Sequence, residues 1–243
     1  MTKSIHTTNR SQAGFTLVEL AVVMIIIGLL IGGVLKGQEL INNAQIAATV
    51  AQVKATDAAV TTFRDKYNAI PGDMLSPGTR LPNCTTTGSC SSAGNGDGRL
   101  ANNPSTLPTN AEGARFFVHM AAADVYSGVN PDGGASWGGI YPAAKIGGGF
   151  FAGYSTGAAA DFVANGTNAM GGHYLTLTQL VANAAAGTGA VSPSQAFRID
   201  TKIDDGNPTA GSVRAFGTGC LTGTTYDERS AQIACGLQLR IQG

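Results

Sequence analysis

From Phe15 to Leu35 the chain reads FTLVELAVVMIIIGLLIGGVL, a run whose only polar members are Thr16 and Glu19. As an α-helix it would reach about 31 Å at 1.5 Å per residue, roughly one hydrocarbon thickness of a bilayer. The rest of the 243-residue sequence has no comparable stretch, so one N-terminal membrane segment with a large polar remainder is expected. Residues 1–14, MTKSIHTTNRSQAG, contain Lys3 and Arg10, no acid and no apolar core. A secretory signal instead has an apolar stretch of about 7–15 residues after its basic start, then a small-residue cleavage site. The positive-inside rule keeps Lys3 and Arg10 cytoplasmic and sends the C-terminal bulk outward. Fifteen basic against fifteen acidic side chains argues against a nucleic-acid binder, which normally presents a basic face. At 43% apolar, the composition fits neither a disordered acidic tail nor a polytopic membrane protein.

Glu19 is out of place in such a run. An acid at the centre of a membrane helix costs about 2.5–3.5 kcal/mol on insertion scales, so intramembrane acids default to function. Gly14-Phe15-Thr16-Leu17-Val18-Glu19, with its polar basic leader and the apolar run beyond, resembles the processing site of type IV pilins and of the pseudopilins of type II secretion. The resemblance covers roughly residues 1–70. It implies cleavage by a prepilin peptidase between Gly14 and Phe15, N-methylation of Phe15, and pairing of Glu19 with the Phe15 ammonium of a neighbouring subunit during assembly. The physics agrees, because opposite charges attract strongly at low dielectric and each relieves the other's isolation.

Beyond the membrane run no Pro occurs before Pro71, so one helix over 15–70 is permitted. Ile46, Val50, Val53, Val60, Phe63, Tyr67 and Ile70 form a heptad-like stripe, interrupted by Asp57, for packing on a head domain. An opposite face of small residues, Ala44, Ala47, Ala48, Ala51, Ala55 and Ala58, suits close helix neighbours. Gly28, Gly32, Gly33 and Gly37 leave open whether the helix continues or melts there, since each Gly costs about 1 kcal/mol relative to Ala. Pro71-Gly72 stops it.

Residues 71–110 read as loop, and Thr109 with Glu112 forms a T-x-x-E capping box for a helix over about 110–126, with Gly128 placed to close it. Residues 128–172 give no clear pattern, and LTLTQLVANAA (175–185) reads as strand or short helix. AFRIDTKI (196–203) and SVRAF (212–216) alternate around DDGNPTAG and read as a hairpin, with LQLRI (237–241) as a closing strand. The expected class is therefore α+β, a long N-terminal helix against an antiparallel sheet, which is the pilin architecture. The runs YNAIPGDM, NGDG and IDTKIDDGNPTAGSV also look like those of bacterial pilin-like proteins with large heads.

Cys84, Cys90, Cys220 and Cys235 allow three disulfide connectivities. Their C-x5-C and C-x14-C spacings, without His pairs nearby, are poor zinc patterns. In an outward-facing head, disulfides are the better reading, and local pairing is favoured. The second pair also resembles the C-terminal disulfide-bounded region of many pilins.

Gly153-Tyr154-Ser155-Thr156-Gly157 matches G-x-S-x-G, with Asp161 and His173 following in hydrolase order. In a chain with 34 Gly such a match carries little information, and three triad members within 19 residues are too compact for that fold. His119 and His173 read as surface or capping residues rather than bases. Asn95, Asp97, Asp204 and Asp205 are oxygen-rich and make weak calcium candidates, but the EF-hand template fails at Thr106, and a turn also uses Asp and Gly for backbone reasons.

The expected organisation is a cytoplasmic leader (1–14), a long helix (15–70, transmembrane over 15–35 and amphipathic over 36–70), and a head over 71–243. The expected function is that of a structural filament subunit and not an enzyme, without cofactor or nucleic acid. Its partners are copies of itself or other pilins, the prepilin peptidase and inner-membrane assembly machinery. It waits in the bacterial inner membrane with its head outside the cytoplasm, then enters a pilus or pseudopilus. The alternatives are a type II secretion pseudopilin and, more distantly, a membrane-anchored extracytoplasmic enzyme.

Overall fold

The computed structural model describes residues 14–84, 89–108, 112–163, 170–179 and 189–242. The chain divides into two units, Met1–Asn43 and Ala44–Gly243. The helix α1, Leu17–Tyr67, contributes its first part to one and its second part to the other.

In the first unit, helical structure continues through Gly28, Gly32, Gly33 and Gly37, so the helix does not melt at its glycines. The apolar side chains there are exposed, Phe15 and Leu17 above 80%. The segment has mean hydropathy 2.7 over its most apolar window and is long and apolar enough to cross a membrane.

The second unit is built around the amphipathic stripe. Ile46, Val50, Val53, Val60 and Phe63 are buried, as are Thr49, Thr56 and Ala59 on the same face. The two threonines tolerate burial because their hydroxyls donate back to the Gln45 and Gln52 carbonyls at 2.8 and 2.9 Å. Asp57, the interruption in the stripe, accepts the Gln242 N–H at 2.8 Å and so ties α1 to the chain leaving the last strand. The small-residue face, Ala44 to Ala58, is exposed.

A short helix α2 (Pro77–Arg80) and α3 (Glu112–Ala122) precede the sheet. The strands β1 (Gly149–Ser155), β2 (Gly172–Thr178), β3 (Val213–Phe216) and β6 (Gly236–Ile241) form an antiparallel sheet in the order β1-β2-β6-β3. The register aligns Ala152 with Leu175, Leu175 with Leu239, and Leu239 with Val213. A small hairpin of β4 (Leu221–Thr222) and β5 (Thr225–Tyr226) stands apart. Long helix plus four-stranded antiparallel sheet is an α+β, pilin-like arrangement.

The strands are buried along almost their whole length, which removes the inside-outside alternation of a one-sided sheet. Loop 102–104 closes on them. Thr176 Oγ1 and Gln238 Nε2 both donate to the Pro104 carbonyl, at 2.7 and 2.9 Å, and the Tyr154 N–H pairs with the Asn102 carbonyl. Gly153 in β1 permits this close approach, and Gly149 that of Trp137. A Cβ on Gly149 would meet the Trp137 ring at 2.3 Å, and one on Gly153 would meet the Asn103 backbone at 2.7 Å.

Two expected elements differ. Residues 196–203 are not a strand but most of helix α4, Pro193–Ile203, so no hairpin joins them to β3. The N-terminus decides it: Ser192 caps, Pro193 opens the first turn, and Gln195 completes a reciprocal capping box. Ala196, Ile199 and Asp200 then share the buried face at helical spacing. The other difference is α3, which ends at Ala122 rather than 126. Asp124 adopts φ 57°, and the bonds Asp124 N–H to Ala121 O and Val125 N–H to Met120 O make a Schellman closure without Gly128. Thr109 lies outside the described residues. Glu112, its expected capping partner, accepts instead from the Asn95 and Ala101 N–H groups.

Candidate functional site

At the start of α1 the apolar chain needs a way to satisfy its first free N–H groups, and Thr16 and Glu19 provide it. Glu19 Oε2 accepts the Thr16 N–H at 2.8 Å and the Thr16 hydroxyl at 2.9 Å. The Glu19 N–H donates back to Thr16 Oγ1 at 3.3 Å. This is a capping box with the acid at the third helical position. It holds the carboxylate in the first turn of the helix, close behind Gly14-Phe15, where the helix dipole favours a negative group. Among the described residues Oε1 accepts no hydrogen bond, so one carboxylate oxygen remains for an outside donor. Gly14 and Phe15 precede the helix in exposed, non-helical chain.

In the second unit, Cys84 is bonded to Cys90 with Cα atoms 5.5 Å apart, and Cys220 to Cys235 with Cα atoms 4.9 Å apart. The interior of the first loop, 85–88, lies outside the described residues. Cys220 and Cys235 are buried, and the Ala190 and Val191 N–H groups both donate to the Cys235 carbonyl.

The hydrolase-like residues do not form a relay. Ser155 Oγ donates to Asp161 Oδ2 at 3.0 Å, without an imidazole between them. His173 lies opposite Tyr154 in the β1–β2 register, while Ser155 is opposite Gly172, so Ser155 and His173 belong to opposite faces of the sheet. Strand β1 leads into a 3₁₀ turn, Ala159–Asp161, rather than the helix of a nucleophile elbow.

The oxygen-rich candidates separate into two places. Asp204 and Asp205 join Asp200, each offering an oxygen within 4.8 Å of the others. Protein donors already occupy this group: Tyr226 OH and the Gly206 N–H on Asp200, the Ser212 N–H on Asp204, and the Asn207 N–H on Asp205. Asp97 belongs to a different loop, where it accepts from Asn95 Nδ2 and the Arg99 N–H. That loop is held from beneath by two buried acids: Asp73, which sequence reasoning missed, and Glu112, which it read as a capping residue. Asp73 accepts the Gly96 and Gly98 N–H groups at 2.6 and 2.7 Å, and Glu112 accepts those of Asn95 and Ala101. Burial raises the Glu112 pKa, and the neighbouring Asp73 and Asp97 charges add to it. An acid after PG and another at a helix start are visible signals, but nothing local tells which loop they hold.

Neither His119 nor His173 is a surface residue. His119 Nδ1 accepts the Gly72 N–H at 3.0 Å, which leaves Nε2 to donate to the Cys90 carbonyl at 3.1 Å. Gly72 needs to be glycine for this, since its φ is +89° and a Cβ would meet the Glu112 carbonyl at 2.3 Å. His173 packs against the Tyr154 ring at 5.1 Å with Nε2 buried and unbonded. Burial lowers both imidazoles from 6.5 to about 4, with the Arg115 charge adding to the effect on His119 and the Arg64 charge on His173. The folded head therefore binds fewer protons than the unfolded chain between about pH 6.5 and 4. Stability is intact above that window and falls as pH drops through it. Asp200, pushed up to about 6 by burial, acts oppositely: its contribution is present at low pH and is lost as pH rises through 6. The imidazoles act from about pH 6.5 downward, and the raised carboxyls of Asp200 and Glu112 offset only part of that loss, so thermal melts should fall from pH 7 to 4.5. His173→Phe should reduce that acid loss by on the order of 1–3 kcal/mol without loss at pH 7. An unchanged acid slope in the variant would remove His173 as a cause.

Residues 9–35 match the family model of the prokaryotic N-terminal methylation motif. Neither the curated proteins nor the solved structures gave a match to this chain. The matched span contains the Gly14-Phe15 junction, the Thr16–Glu19 capping box and the apolar run.

Proposed function

We propose, from a motif that is characteristic of type IV pilins and pseudopilins, that this chain is a structural subunit of a type IV pilus-like filament. The observation that carries this is the methylation-motif match over residues 9–35, which falls on an apolar helix whose capping acid keeps one oxygen for an outside donor. A pilin-type motif points to a structural protein held in a membrane by a single apolar helix. In our reading residues 1–14 are a leader removed by a prepilin peptidase, and Phe15 becomes a methylated N-terminus. Residues 15–35 anchor the subunit in the inner membrane, and the head stands outside the cytoplasm. Assembly machinery then extracts the helix into a filament of copies of this chain or of related subunits. A head-to-tail contact that does not close generates such a filament. Burial of apolar helix faces on one another offsets the loss of lipid.

Glu19 is central to that step. A neighbour's Phe15 ammonium would neutralise a charge that is costly in hydrocarbon, and the free Oε1 is the atom to receive it. Glu19→Ala is expected to leave cleavage and membrane insertion intact and to reduce assembly by at least about tenfold, the loss of one strong charge-assisted contact. The test is the share of Ala subunits in filaments from a strain expressing both forms. Equal incorporation would overturn the pairing role. Electron microscopy of a deletion strain tests the wider proposal: loss of a surface filament supports a pilus subunit, while intact filaments with failed protein secretion would assign the chain to a secretion pseudopilus instead.

A further inference from the structure

A cleft of about 290 Å³ opens beside the last turn of α1. Arg64, Asn68 and Arg80 line it, and Asp73, Leu75 and Gly96 form part of its wall. Arg64 and Asn68 are one helical turn apart and share a face. Asn68 ends the helix in the left-handed region, φ 48°, with its N–H on the Arg64 carbonyl at 2.7 Å. Among the described residues neither the Arg64 guanidinium nor the Asn68 carboxamide makes a hydrogen bond or an ion pair. Arg80 donates through one Nη to the Tyr67 carbonyl and keeps its other N–H groups. The acid in the wall, Asp73, is engaged with the Gly96 and Gly98 N–H groups through both oxygens, so it cannot turn to the arginines without releasing its loop. A basic residue in the last turn of a helix complements the dipole, which accounts for the position of Arg64 but leaves its donors unused. The Arg64 charge also reaches His173, where it adds to burial in holding that imidazole neutral.

We propose that this cleft binds a small oxyanion, the carboxylate or phosphate group of a ligand no larger than a single sugar. Guanidinium forks match the two oxygens of such groups, and charge-assisted bonds of this kind are about twice as strong as neutral ones. The volume is at the lower end of the roughly 300–1,000 Å³ of small-molecule sites. The cleft lies wholly in the second unit, so the proposal does not rest on the filament reading.

The test is calorimetric titration of the full chain in detergent, at low salt, with inorganic phosphate, with glucuronate, and with glucose as the neutral control. Saturable binding of at least one anion, but not of glucose, is expected. Phosphate alone would assign the site to the free ion, glucuronate alone to an acidic sugar; either supports the proposal. Arg64→Gln should weaken binding about tenfold or more, and Arg64→Lys less, since it keeps the charge and loses the fork. Arg64 is exposed, so both variants should melt as the parent does, and a shared melting temperature makes the comparison valid. Absence of binding by both anions, equal binding of glucose, or unchanged affinity in Arg64→Gln at a parental melting temperature would each overturn the proposal. If Arg64→Gln melts lower, Arg64→Lys decides by the same criterion.

Discussion

Mass spectrometry of the protein recovered from its own cells should return a mature chain that starts at Phe15 and carries one added methyl group. The methylation motif covers this junction, and Gly14 and Phe15 lie in exposed chain ahead of α1. A peptidase that closes on the Gly14–Phe15 bond must approach the backbone, and a residue without a side chain lets it do so. The structure makes the test clean, because a Cβ on Gly14 would find nothing within 4 Å. Substitution there perturbs no contact among the described residues, so its effect is an effect on processing. Gly14→Ala should be mild, whereas Gly14→Trp should leave no detectable processed chain. A mature protein that still begins at Met1, or one cut after residue 35, would sink the pilin-type reading.

Loss of the Cys220–Cys235 bridge should be the costliest change in the head. Cys235 stands one residue before β6, which pairs with both β2 and β3, and it also accepts the Ala190 and Val191 N–H groups. Releasing it loosens the entry to a central strand and the approach to α4 together. Removal of a native disulfide from a small secreted domain costs about 2–5 kcal/mol, which corresponds to roughly 4–20 °C in melting temperature for a unit of this size. Cys84–Cys90 should matter less. It closes a shorter loop, and the Cys90 carbonyl has a second anchor in His119. Paired Cys→Ala variants compared by thermal melts separate the two. Non-reducing peptide mapping of cell-surface protein checks the bonds themselves, and four free thiols there would contradict both the pairing and the outward topology.

How much could be read from the sequence was set by how local each physical cause is. The stripe from Ile46 to Phe63 was legible because a helix repeats its burial every turn. SVRAF and LQLRI were legible as short runs with strand propensity. AFRIDTKI satisfied both periods at once, and the deciding signal, SPSQ, lay just ahead of it. β1 was not legible: two of its residues are glycines kept small for Trp137 and for loop 102–104, contacts that no local window contains. At the candidate site, Gly14, Phe15 and Glu19 form a compact signal. The roles of Asp73, Glu112 and His119 depend on partners far along the chain, so composition alone left their surroundings as featureless loop.

The loop over residues 94–101 has one further consequence. Asp73 and Glu112 hold it by the main-chain amides of Asn95, Gly96, Gly98 and Ala101, not by its side chains. Two buried acids thus recognise the path of the segment, and its glycines are fixed with that path: Gly96 and Gly98 have φ +75° and +80°, and a Cβ on Gly94 would meet the Asp73 backbone at 2.4 Å. Such a stretch is fixed in length, in its glycines and in the buried Leu100, and free only at a few exposed letters. Exposed positions such as Arg99 can be rewritten at little cost, whereas one residue inserted between Gly96 and Gly98 would pull amides away from Asp73 and leave a buried charge without donors. A segment whose composition suggests the most permissive site in the head for a grafted tag is, for that reason, among its least tolerant.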